Sequence, residues 1–164
     1  MNIRHFFELI GADANPPTNE LEIGCAEERI NGKLPTLLRE WYLQANGSSG
    51  EARILHWRFP SLNRLHTIEQ RFPTAHVVTV MHPNGQKRQC LGENYAIFCD
   101  QLIYAPFYAV NIAATDTYYG EVIAAYDEDP SDALLSASSF EKFARYLMEH
   151  YSESLPILNA EDTL

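Results

Sequence analysis

Between Arg88 and Lys142 the sequence contains no lysine and no arginine, while the same stretch carries nine carboxylates. This absence divides the chain by charge. Residues 1–88 hold nine acids and ten bases, and residues 89–164 hold thirteen acids and two bases, so nearly all of the formal charge of −10 belongs to the second half. An asymmetry of this size predicts an electronegative surface that attracts cationic partners over about a Debye length, roughly 8–10 Å. The plainer reading is a solvated acidic face. With a pI of about 4.9 the chain is a poor direct ligand for nucleic acid, which is bound by clustered Lys and Arg.

Other absences narrow the field further. The three cysteines, Cys25, Cys90 and Cys99, are odd in number and lack CxxC spacing, which suits a reducing cytoplasm and small buried side chains better than a disulfide framework. Nowhere do eighteen apolar residues follow one another, and Met1–Gly11 lacks a basic flank before a continuous apolar run. Neither a membrane span nor a signal peptide is expected, and a cytoplasmic location follows. HExxH and paired CxxC motifs are missing, and His56, His66, His76, His82, Cys90 and Cys99 fall on different expected elements, so no metal site is expected. GxSxG and the Ser-x-x-Lys lactamase pattern are missing too.

Two segments resemble ligand sites only superficially. Gly47, Ser48, Ser49 and Gly50 lack the Lys-Ser or Lys-Thr of a phosphate loop and follow a helix, not a strand, which makes them a turn. Asp127, Glu128, Asp129 and Asp132 offer hard oxygen ligands without the glycine and terminal glutamate of a calcium loop. Loop carboxylates without apolar surroundings keep ordinary pKa values, the wrong state for a general acid. No catalytic residue, cofactor or metal is therefore expected.

What is present reads as one α+β domain over residues 1–151: N-terminal helices, a mainly antiparallel sheet of about five to six strands, and a C-terminal helix packed with them. A polar tail follows at 152–164, of a composition that favours disorder. Ile3, Phe6, Phe7 and Ile10 share a face of an opening helix ended by Gly11. Thr18 offers a cap for a second helix carrying Ile23, Ala26, Glu27 and Ile30. Pro35 opens a third with Leu38, Trp41 and Tyr42 inward. Trp41, Tyr42, Trp57 and Phe59 are expected in the core.

Arg53–Phe59 alternates as a strand, and a short helix carrying Leu62, Leu65 and Ile68 is expected after it. Asn84-Gly85 between 76–82 and 86–91 signals a hairpin with a tight two-residue turn. Strands are predicted at 95–104, 107–113 and 121–126, with 116–120 and 127–132 as loops. Ser138 and Glu141 form a capping box for an amphipathic last helix.

The order Ile23, Glu27, Ile30, Leu34-Pro35, Trp41-Tyr42 and Asn46-Gly47 resembles the helix, Leu-Pro, helix, Asn-Gly signature of the SUKH superfamily of toxin-immunity proteins and cell-wall-synthesis regulators. The resemblance resumes at Ile97-Phe98, Tyr108–Ile112 and Gly120-Glu121-Val122. It ends at Ser138, Ser139, Phe140, Glu141 and Phe143, with residues 76–91 as a longer central insertion. It implies a non-enzymatic immunity protein that neutralises a cognate toxin, a basic domain such as a nuclease, through an acidic surface. A regulatory scaffold with endogenous partners is the alternative, and an unrecognised small hydrolase or metal enzyme the third. Tyr104, Tyr108, Tyr118, Tyr119 and Tyr126 flank the acidic loops and are candidate anchors. The expected contact residues are Asp116, Tyr118, Tyr119, Glu121, Asp127, Glu128, Asp129 and Asp132.

Overall fold

The computed structural model describes residues 2–50, 52, 56–101 and 106–150. The expected polar tail, Tyr104, and parts of the strands expected at 53–59 and 95–104 lie outside the described residues. The chain runs through α1 (Ile3–Ile10), α2 (Glu20–Arg29) and α3 (Thr36–Gln44) before the sheet begins, and closes with α5 (Phe140–His150). Asn2 caps α1, and Gly11, at φ 68°, ends it. The cap of α2 is Asn19 and not Thr18, because the Asn19 side chain accepts the Glu22 amide at 3.0 Å, while the Thr18 hydroxyl turns to the Glu22 carboxylate. Likewise Ser139, one residue later than expected, caps α5 by accepting the Lys142 amide.

Among the described residues the sheet has eight strands: β1 (Trp57–Arg58), β2 (His66–Thr67), β3 (Val77–Met81), β4 (Lys87–Leu91), β5 (Tyr95–Gln101), β6 (Pro106–Asn111), β7 (Val122–Tyr126) and β8 (Asp129–Ala137). Their order is β1-β5-β6-β7-β8-β3-β4, β2 also pairs with β5, and among these described strands β3 and β8 are the one parallel pair. Where one helix was expected around Leu62–Ile68 there is a 3-10 turn (Leu62–Arg64), then β2, then α4 (Ile68–Arg71). The first four residues of β8, 129–132, were expected as a loop, and no strand was expected over the remainder. The start of β8 carries Asp129, Pro130 and Asp132, but pairing with β3 begins only at Asp132, so Pro130 lies before the point where a missing N–H would break that ladder. The β3–β4 turn also differs from expectation. The Gly85 amide donates to the His82 carbonyl and, in this turn, only Gly85 (φ 81°) is left-handed, which fits a three-residue loop with Pro83 early in a type I turn.

This sheet cannot be flat. Between β4 and β5 along the sheet lie β3, β8, β7 and β6, a path of about 24 Å at roughly 4.8 Å per strand. The chain joins Leu91 to Tyr95 through Gly92–Asn94, and four residues span at most about 14 Å. The sheet therefore curls into an incomplete barrel. Its inner face buries Val78, Val80, Tyr95, Ile97, Phe107 and Ile123. Its outer face, along β5 and β6, packs on the helices, where Phe140 meets Trp41 and Phe98 with ring centroids 5.0 and 5.1 Å apart. Of the cysteines, Cys99 is buried and Cys90 half-buried, while Cys25 is exposed on the outer side of α2.

Gly24 lies inside α2, and a Cβ there would meet nothing within 4 Å. Gly24→Ala should raise stability by about 0.5–1 kcal/mol, because glycine has more backbone entropy to lose in a helix. Urea denaturation checks this, and an unchanged or lower midpoint would refute it.

Candidate functional site

Strand β7 carries the sequence-predicted contact residues at its two ends. Before it, the loop after β6 is built around Asp116, whose carboxylate accepts the Tyr118 amide and the Asn111 side-chain amide, each at 3.0 Å. Burial opposes ionisation of Asp116, but these hydrogen bonds and the charge of Arg88 outweigh it and hold its pKa below the ordinary value. Gly120, at φ 84°, lets the loop return, with its amide on the Asn111 carbonyl. Tyr118 lies with its ring centroid 3.7 Å from the Arg88 guanidinium. Tyr119 donates its hydroxyl to the Leu34 carbonyl at 3.1 Å and so fastens the loop to the entrance of α3. Both tyrosines keep over a third of their surface in solvent.

Glu121 is not part of that surface. It is 3% exposed, and it accepts hydrogen bonds from the Arg88 guanidinium and from the Tyr95 hydroxyl, the latter at 2.8 Å. Arg88 also donates to the Tyr95 hydroxyl at 3.2 Å. Burial works against the Arg88 charge, yet the Tyr95 contacts and the Glu121 charge more than compensate, and its pKa is raised. These side chains bridge the gap between β4 and β5 that no backbone ladder closes. The network was not legible in the sequence, because Arg88 precedes Glu121 by thirty-three residues and no local spacing connects them.

At the other end of β7, Tyr126, Asp127, Glu128 and Asp129 form the exposed tip of the β7–β8 hairpin. Asp132 follows on β8, opposite Thr79 of β3. Arg71 holds Asp127 through two contacts of 2.9 and 3.1 Å and reaches Asp100 at 3.2 Å, and Arg58 grips Asp100 with two more, at 2.9 and 2.6 Å. Among the described residues no ion pair reaches Glu128, Asp129 or Asp132. The two groups of predicted residues are separated by the length of the five-residue β7, about 17 Å at roughly 3.4 Å per residue. They cannot form one compact patch.

Folding thus cancels part of the charge asymmetry seen along the chain. Asp100, Asp127 and Glu121 from the acidic half are paired with Arg58, Arg71 and Arg88 from the other half. What remains acidic at the hairpin borders a mixed face of β3 and β4 on which three apolar side chains are exposed, with Lys87 opposite Met81 and Gln89 opposite Thr79. Val77 and Leu91 are directly opposed across β3 and β4, Met81 lies two steps along the same face, and all three are exposed, at 45%, 48% and 36%. Asp132 sits beside Thr79 on that face. Tyr108, a candidate anchor from sequence, is buried in the core.

One further carboxylate is buried. Glu27 of α2 accepts the Leu34 amide at 3.1 Å, Lys33 Nζ at 2.8 Å and Arg39 at 2.5 Å. Burial alone would raise its pKa, and the Lys33, Arg39 and Leu34 hydrogen bonds bring it below the usual carboxylate value. Glu27 thereby locks α2, the Leu34-Pro35 segment and α3 together. A family model described as the SMI1 / KNR4 family (SUKH-1) matches residues 17–145, which begin just before this unit and run into α5. The chain belongs to the SUKH-1 family. No curated protein matches it.

The signature positions of the SUKH-1 chain are structural. Glu27 and Leu34 make the contacts just described, Asn46 accepts the Leu62 amide at 2.8 Å, and Phe140 and Phe143 fill the core beneath α5. None of them places a reactive group in a cleft. Among the described residues no group of three or more His, Cys, Asp or Glu side chains could hold a metal ion, and no helix is long and apolar enough to cross a membrane.

Proposed function

We propose that this SUKH-1 protein is a non-enzymatic immunity protein that binds and neutralises a cognate toxin whose contact surface is basic. The observation that carries the reading is the outer face of β3, β4 and β8. There Val77, Met81 and Leu91 are exposed beside Asp132 and the acidic hairpin tip. Apolar anchors edged by charge are the arrangement of an energetic interface centre with its rim. The carboxylates supply long-range attraction and orientation, and the apolar side chains supply affinity once water is expelled. Contact falls on Tyr126, Asp127, Glu128, Asp129 and Asp132, with the Asp116–Tyr119 loop at the opposite end of β7 as a separate, smaller surface. Glu121 supports that loop from beneath.

Because the hairpin carboxylates are exposed, their reversal should spare the fold. The triple variant Glu128→Lys, Asp129→Lys and Asp132→Lys should associate with a cognate basic toxin domain about ten to a hundred times more slowly at low salt. The difference should shrink as salt rises. Stopped-flow association with the purified toxin domain, together with protection of toxin-expressing cells, measures both. An unchanged rate and full protection would rule out the acidic surface. Capture of several endogenous proteins with no toxin among them would favour a regulatory scaffold.

A further inference from the structure

Strand β4 is an edge of the sheet, and the phase of its hydrogen bonds fixes which backbone groups it leaves unused. Just beyond its two ends the His82 amide donates to the Gln86 carbonyl at 2.8 Å and the Gly92 amide to the His76 carbonyl at 2.9 Å. An antiparallel ladder bonds alternate residues. Gln86, Arg88, Cys90 and Gly92 therefore turn their backbone groups to β3, while Lys87, Gln89 and Leu91 turn theirs away. Among the described residues no backbone or side chain pairs with Lys87 or Gln89 on that outward side. The Arg88–Tyr95–Glu121 contacts cross to β5 through side chains alone, and neither a proline nor a bulge interrupts β4. A regular, open edge of this kind is a template for another strand.

The edge is complementary to itself. Lys87 at its start and Glu93 just past its end are both exposed, and among the described residues neither has an ion-pair partner. A twofold axis at Gln89 sets Gln89 against its own copy and Lys87 against Leu91 of the second copy. It also reverses the order of charge, so that each Lys87 meets the end of the strand that carries Glu93, within diagonal reach of a long side chain. In this register the Gln89 amides and carbonyls pair reciprocally, and each Leu91 amide donates to the Lys87 carbonyl of the other copy. The Lys87 stem then covers the exposed Leu91 side chain. A basic partner would meet Lys87 as a like charge, which separates this edge from the acidic hairpin. We infer that two copies of this chain pair through β4, antiparallel about Gln89, and join their sheets into one. Such an isologous contact closes on itself as a dimer.

The inference is independent of the toxin reading, because pairing uses the edge of the sheet and leaves its outer face open in both copies. Sedimentation equilibrium of the full chain, from about 10 µM to about 0.5 mM at physiological salt, should show a mass rising from 18.7 kDa toward twice that value. Hydrogen exchange over the same range reads the register: the Arg88 and Cys90 amides, bonded to β3, should be protected throughout, and the Gln89 and Leu91 amides only as the dimer fills. Gln89→Pro removes an outward N–H, which an edge strand tolerates, and should weaken dimerisation by about tenfold or more. Lys87→Glu, an exposed change, should weaken it about threefold by setting like charges together, and Lys87→Glu combined with Glu93→Lys should restore it. A chain still monomeric at about 0.5 mM overturns the proposal, since that concentration already marks negligible affinity. Wild-type dimerisation in Gln89→Pro or in Lys87→Glu overturns it too, as does a charge swap that recovers nothing. Protection of the Gln89 amide in a chain that stays monomeric would instead assign the edge to a segment of the same molecule.

Discussion

Glu121→Ala should destabilise the protein by about 3–5 kcal/mol, the largest loss expected from any single polar change in it. The side chain of Glu121 is 4% exposed and that of Arg88 17%, so removing the carboxylate leaves a guanidinium that water reaches poorly. Tyr95 would lose the acceptor of its hydroxyl proton at the same time. The network also closes the open side of the curled sheet, so the cost falls on the β3–β4 hairpin as well as on the pair. Urea denaturation measures the loss. The combined variant Arg88→Met with Glu121→Leu should recover most of it, since replacing both partners removes the buried unpaired charge. A single-variant loss below about 1 kcal/mol would show that the pair is solvated and that the hairpin is held by apolar contacts alone.

Gly47→Ala is the second large effect, about 2–5 kcal/mol, and its origin is steric. Gly47 sits at φ 74°, where an L side chain costs roughly 1–2 kcal/mol. A Cβ would also press on the Phe59 carbonyl oxygen and lie 2.7 Å from the Pro60 carbonyl carbon, both backbone atoms that cannot rotate away. Forcing extra volume into such a packed site adds typically 1–3 kcal/mol. Gly85→Ala provides the control, because Gly85 has a similar φ of 81° but nothing within 4 Å of the added atom. It should show only the conformational part. Equal losses in the two variants would mean that the segment around Phe59 yields freely and that Asn46-Gly47 is a turn without a packing role.

These effects bear on how much the sequence disclosed. The apolar face of α1, the core position of Trp41, Tyr42, Trp57 and Phe59, and the hairpin of β3 and β4 followed from periodicity and turn residues, which act over a few positions and are written locally. The family signature was legible for the same reason: Glu27, Leu34 and Asn46-Gly47 are caps, turns and short-range contacts. Strand β8 was hidden because Pro130 and its flanking carboxylates carry loop chemistry, and only the pairing with β7 and, from Asp132, with β3 makes the segment a strand. The cap positions were misplaced by one residue where two capping side chains stand next to each other, as at Thr18-Asn19 and Ser138-Ser139.

The site divides along the same line. The turn that carries Asp116 and Tyr118 was legible in the sequence, but whether a carboxylate faces water or a guanidinium depends on strands far apart in the chain. Glu121 reads like its acidic neighbours until Arg88 is brought over it. The sequence alone determined α1, α2, α3 and α5, the apolar faces of most strands, the surplus of negative charge and the SUKH resemblance, since each depends on residue type and short-range spacing. Tertiary structure alone decided which acids remain exposed, that the sheet curls, and that Arg58 and Arg71 meet at Asp100, because those outcomes require contacts between segments that share no local pattern.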